Sequence, residues 1–178
     1  MKNRGFTLIE LMVVVAMVAV VAGVAVPSFQ ITIARQKLSG TASELMASAM
    51  QARSEAIKHN QQTILAPLVT TDWSKGWRVY VDTDTDRAYT DGTDLLITTT
   101  PPASDSVTVY EVALNTAVGN LVGYDANGFL MGRNAGRIVF SSSIIPSSEL
   151  KKGIKISVTG RVRICTSQPG NDGCAGSD

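Results

Sequence analysis

"RGFTLIELMVVV", residues 4 to 15, carries one carboxylate, Glu10, at the head of a stretch that stays uncharged from Leu11 to Ala34. An unpaired acid beside an apolar phase is expensive, so Glu10 needs a partner. Phe6 to Val26 would span roughly 31 Å as a helix, close to the hydrocarbon thickness of a bilayer. Lys2 and Arg4 precede it. Basic residues ahead of an apolar span place the N-terminus in the cytoplasm and everything after Pro27 outside.

Three readings compete for this segment. A secretory signal cleaved near "VVAGVAVP" leaves the length and the acid unexplained. A plain membrane anchor explains the length and leaves Glu10 without a role. In the third, the chain is cut between Gly5 and Phe6. The new α-amine of Phe6 then lies near Glu10, or near the Glu10 of a neighbouring copy, and the two charges match. "RGFTLIELMVVVAMVAVVAGVAVPSF" resembles the signal of type IV pilins and type II secretion pseudopilins. The resemblance implies that a prepilin peptidase cuts after Gly5 and methylates Phe6, and that Glu10 aligns subunits during assembly. It also implies a helix held first in the inner membrane and then in a filament core beside other pilin and minor pilin subunits. Removal of residues 1–5 takes the 16 basic residues to 14 against 15 acids, because Lys2 and Arg4 leave.

From Ser28 to His59 the pattern is helical. Leu38, Ala42, Leu45, Ala49, Ala52 and Ala56 recur at spacings of three and four and form one face. Glu44, Ser48, Gln51 and Glu55 line another. Alanines on the stripe let a helix lie close to a sheet, and Pro27 is expected to kink or soften the helix. After residue 60 the chain turns to strands: "GWRVYV", "LLITTT", "SVTVYEVAL", "GRIVF" and "GIKISV", separated by Gly, Pro, Asn and Asp. The expected fold is α+β, a long N-terminal transmembrane helix packed on an antiparallel β-sheet domain. The parts are a leader (1–5), a membrane or filament-core helix (6–27), its amphipathic continuation (28–59) and a β-rich head (60–178). With "GWRVYVD", "YDANGFL" and "GRVRIC", the later chain resembles the FimT/FimU/GspH group of minor pilins and pseudopilins.

Little in the sequence points to catalysis. No G-x-S-x-G signature occurs. His59 has no partner in sequence and is expected to end the helix, where positive charge is favoured. Asp82, Asp84 and Asp86 alternate as in a calcium loop. Arg87 and Thr93 stand where an EF-hand needs Gly and Glu, so a polar loop with Asx turns is the plainer reading. Trp73 and Trp77 read as core. Cys165 and Cys174 bracket a Pro-Gly-Asn-Asp-Gly turn with no histidine nearby, which argues against metal and suits a disulfide in an exported protein. Two free thiols in a tail are the alternative. No enzyme activity, cofactor or metal is expected.

"KKGIKISVTGRVRIC", residues 151–165, reads as a hairpin whose side chains select its register. A two-residue loop would mix apolar and charged residues on each face. A three-residue loop, Val158-Thr159-Gly160, sets Lys155 opposite Arg163, Ile156 opposite Val162 and Ile154 opposite Ile164. One face is then apolar and the other cationic, with Gly160 in the left-handed position. The cations repel one another mildly, and an anion would relieve them. Gly160, Arg161 and Arg163 match the Gly-Arg-x-Arg signature of FimT-type minor pilins. That resemblance implies DNA binding for natural transformation through Arg161 and Arg163, with Lys155 in support. The rivals are a FimU-like subunit that primes pilus assembly and a GspH-like pseudopilin of type II secretion. The resemblance places the protein in the inner membrane with its C-terminus in the periplasm, and later at the pilus surface.

Overall fold

The computed structural model describes residues 6–114, 119–133, 135–146 and 149–175, with only the backbone of 24–28. The expected cleavage at Gly5 lies outside the described residues. The described elements are helix α1 (Leu8–His59) and strands β1 (Thr63–Val69), β2 (Asp72–Val81), β3 (Leu95–Thr100), β4 (Val107–Ala113), β5 (Val122–Tyr124), β6 (Gly136–Ser142), β7 (Lys151–Ile156), β8 (Val162–Gln168) and β9 (Asn171–Asp172). The chain divides into two compact units, residues 1–33 and 34–178.

In the first unit α1 opens on Thr7. The Thr7 amide and hydroxyl both donate to Glu10 Oε2, at 2.8 and 2.9 Å, and Thr7 Oγ1 accepts from the Glu10 amide at 3.4 Å. This is a capping box: threonine and glutamate three residues apart satisfy two amides that the helix leaves open. Glu10 therefore has a partner within its own turn. Beyond it, Leu11, Met12, Val13, Val14, Val15, Met17, Val18, Val20 and Val21 are all exposed. Among the described residues no helix is long and apolar enough to cross a membrane. The described side chains of this apolar run stop at Gly23, ahead of segment 24–28. As an element α1 continues through Pro27 without a break.

The second unit holds the core. Ala34, Leu38, Ala42, Leu45, Ala49, Ala52 and Ala56 are buried on one stripe of α1. Most of them share a single cluster with Leu65, Trp73, Trp77, Val79 and Val122 from one sheet and Ile138, Phe140, Ile154 and Ile156 from the other. Both tryptophans are core, and Trp77 Nε1 donates to Ser48 Oγ at 2.9 Å. Ser48, assigned from sequence to the polar face, is thus buried as the acceptor that a buried indole requires. α1 ends at Asn60, in the left-handed conformation at φ 51°. The Gln61 and Asn60 amides bond the Ala56 and Ile57 carbonyls, a Schellman closure. His59 Nε2 and Lys58 Nζ lie 3.1 and 3.0 Å from Glu55 Oε2, so basic side chains occupy the last turn.

Two antiparallel sheets form where one was expected: β3-β2-β1-β5 and β4-β6-β7-β8-β9. The first contains a strand the sequence conceals. β1 carries Pro67, which ordinarily demotes a strand. β5 pairs β1 only from Thr63 to Leu65, so Pro67 sits where that edge is unpaired. In the second sheet the expected register holds: Lys155 pairs Arg163, Ile156 pairs Val162 and Ile154 pairs Ile164. Cys165 and Cys174 are joined by a disulfide.

Candidate functional site

The β7–β8 hairpin turns through Val158-Thr159-Gly160. The Ser157 amide donates to Arg161 O, and the Gly160 amide to Ser157 O, each at 2.9 Å. Ser157 Oγ also accepts from the Arg161 amide at 3.2 Å. Gly160 adopts φ 79°, and a β-carbon there would stand 2.2 Å from Gly128 O. The Leu130 amide donates to Val158 O at 3.1 Å. The glycine of the Gly-Arg-x-Arg motif is therefore buried and lets the hairpin tip close onto the 125–130 turn. Arg161 follows it with a fixed backbone.

The outer face of this sheet carries a row of cations across three strands: Arg137 on β6, Lys155 on β7 and Arg163 on β8. Their environments differ. Arg137 donates to Glu111 on β4, and that hydrogen bond pushes the guanidinium pKa up. Lys155 is only 8% exposed, and its Nζ donates to Ala175 O at 2.8 Å. This corrects the expectation of an exposed Lys155. The disulfide brings Cys174 back onto Cys165 and Val139, and the adjoining Ala175 carbonyl covers the ammonium. Asp172 braces the same loop by accepting from the Cys174 amide at 3.1 Å; its pKa is lowered, chiefly by a hydrogen bond from Ser167. Upstream, Lys151 Nζ sits 3.6 Å from the centre of the Tyr110 ring. Arg161 and Arg163 remain exposed, and both border a shallow depression with Ser157, Val158 and Thr159. The apolar face is also less uniform than expected, since Ile164 is 40% exposed.

The aspartate loop is held by its own turns. Asp82 is buried, and its carboxylate accepts from Gln62 Nε2 at 2.7 Å, Thr85 N at 2.9 Å and Arg87 N at 3.0 Å. Burial raises its pKa. Asp94 accepts from the Thr83 and Thr90 amides. Oxygens of Asp82, Asp84 and Asp86 lie within 4.8 Å of one another, as expected of carboxylates capping successive amides of one tight loop.

Sequence reasoning missed two partners. Thr7 serves Glu10, and the T-x-x-E spacing could have revealed it. Arg53 stands one residue after Ala52 of the buried stripe and borders the hairpin tip together with Arg161.

The model of the family described as type II transport protein GspH matches residues 41–170, and the prokaryotic N-terminal methylation motif matches residues 1–26. Type IV major fimbrial proteins FimA of Dichelobacter nodosus are 51% identical over 42 residues, 24% of this chain. The chain spans only about a quarter (27%) of the length of those relatives. Two crystal structures of the Pseudomonas aeruginosa type IV minor pilin FimU share the fold. One has TM-score 0.56 and 19% identity, covering 73% of this chain and 89% of that one. The other has TM-score 0.55 and 20% identity, covering 71% and 91%. With a family model matched over residues 41–170 of 178, the chain belongs to the GspH family of type IV minor pilins and pseudopilins.

Proposed function

We propose that this protein is a minor type IV pilin, a non-enzymatic filament subunit that binds DNA at the pilus through Arg161 and Arg163. Residues 1–5 are its leader, and cleavage after Gly5 with methylation of Phe6 makes the mature chain. The helix that follows, apolar on every side, anchors the protein in the inner membrane and then packs among the helices of other subunits. Glu10 caps its own helix through Thr7 and, after cleavage, attracts the α-amine of Phe6 in the same or a neighbouring copy.

The observation that carries the DNA reading is the exposure of two guanidinium groups side by side at the hairpin tip. Arg161 and Arg163 both stand exposed and border one depression, beside a tip that Gly160 closes onto the 125–130 turn. Guanidinium groups match phosphate oxygens two at a time, and contacts of that kind position a protein on DNA without reading bases. Binding is local and weak per subunit, with dissociation constants of about 10⁻⁴ to 10⁻⁶ M.

The test is titration of labelled duplex DNA with the full chain in nonionic detergent at several salt concentrations. Each arginine removed lowers the log–log salt slope by about 0.9. Arg161→Ala and Arg163→Ala together weaken binding and lower transformation while pili still form. If the double variant binds like wild type, or neither binds at millimolar protein, the DNA role fails and a structural role in the filament replaces it.

A further inference from the structure

The hairpin tip borders a second depression besides the one it shares with Arg163. Met50, Arg53 and Ile57 of α1 line one side of it, and Gly160, Arg161 and Val162 line the other. Met50 and Ile57 are exposed apolar side chains in a unit whose other helix stripe is buried. Arg161 belongs to both depressions, so Arg163, Arg161 and Arg53 follow one another from the strand face over the tip onto the helix.

Arg53 is held in a slot. A β-carbon on Gly128 would stand 3.1 Å from its Nε, and one on Gly160 would stand 3.2 Å away. The Nε is buried and has no hydrogen-bond partner among the described residues. Arg53 forms no salt bridge with any described residue, and neither does Arg161. The acid of the adjoining turn, Asp125, is engaged by the Asn127 and Phe129 amides. Tyr124 beside the slot is a neutral phenol, its pKa raised by burial. A charged donor fixed in a slot with its N–H unmet is a costly arrangement, and an anion with several acceptor oxygens relieves it.

We infer that Arg53 is a third phosphate-binding residue, and that a nucleic-acid strand runs from Arg163 over the hairpin tip onto α1, its sugars against Met50, Ile57 and Val162. This rests on the DNA reading above and extends its site to an element far from the motif in sequence. The phosphodiester is favoured over the carboxylates of a neighbouring subunit because three guanidinium groups in a row along an open track suit a regularly charged polymer.

The experiment is the same duplex titration on the full chain in nonionic detergent, with Arg53→Met added. Methionine keeps the stem in the slot and removes the charge. With three contacts the slope is about −2.7, and affinity falls about 40-fold between 50 and 200 mM salt. Arg53→Met reduces the slope to about −1.8 and the fall to about 12-fold, with a melting temperature no lower than wild type, whereas Arg53→Lys keeps the wild-type slope. If Arg53→Met does not fold, Arg53→Gln takes its place. A wild-type slope in the folded charge-free variant, with Arg161→Ala and Arg163→Ala each still weakening binding, overturns the third contact and leaves the DNA reading standing. Wild-type protein that binds no DNA overturns both.

Discussion

Residues 8–23 and residues 34–56 of α1 are one continuous helix made on two different plans. In the first stretch, large apolar side chains point in every direction and stand exposed. In the second, alanines and leucines recur every three or four residues and are buried against strands, while polar residues take most of the other side. Period is what distinguishes them. A helix with one apolar stripe finds its partner inside its own chain, whereas a helix apolar all round has its partner elsewhere. The alanines show why size matters as much as polarity. At Ala49 or Ala52 a longer side chain would meet a core already filled by Leu65, Trp77 and Ile138. At Val15 no such wall exists within the chain.

The largest expected effect comes from exchanging those plans. Ala49→Leu should destabilise the unit spanning residues 34–178 by about 1–3 kcal/mol, the usual range for overpacking, while Val15→Leu leaves it unchanged. Thermal unfolding followed by near-ultraviolet circular dichroism reads both, and equal shifts would erase the distinction. Gly160→Ala sharpens the comparison at the hairpin. The left-handed backbone alone costs about 1–2 kcal/mol for a residue with a β-carbon, and the overlap with Gly128 O adds to it. Denaturant unfolding should show a clear loss of stability, and a neutral outcome would mean the tip is not closed onto the 125–130 turn.

The smallest effect lies at the helix end. The Glu55 carboxyl pKa is lowered, first by the hydrogen bond from Lys58. A lowered carboxyl pKa contributes stability that is present above the unfolded value and lost as pH falls through the folded one. Glu55→Gln should therefore cost about 0.3–0.5 kcal/mol near neutral pH and nothing once the carboxyl is protonated in acid. Unfolding midpoints at the two pH values check this, and a difference that grows in acid would reverse the sign.

Much of this was legible from residues in order. The alanine stripe was visible because burial has a period, and the hairpin register because charge and apolarity alternate across a turn of fixed length. The tryptophans read as core for their size alone. What stayed hidden depended on contacts distant in sequence. Lys155 is covered by a carbonyl twenty residues on, brought there by the disulfide. Ser48 is buried because Trp77 needs an acceptor. β1 was masked by Pro67, and β5 is too short to leave a pattern. The split into two sheets is a fact of pairing, which strand composition does not encode. Nothing in the order of residues singles out Arg53, and only the two glycine turns closing on it set it apart.

The most direct test of the two plans is the mature N-terminus. The first stretch is read as a helix meant for a membrane and a filament, released for assembly by one cut. Mass spectrometry of protein from membranes and sheared pili should find chains beginning at a methylated Phe6, with the whole apolar helix retained. A mature chain beginning near Val24 would mean that the apolar helix is discarded, and the filament-subunit account would be wrong.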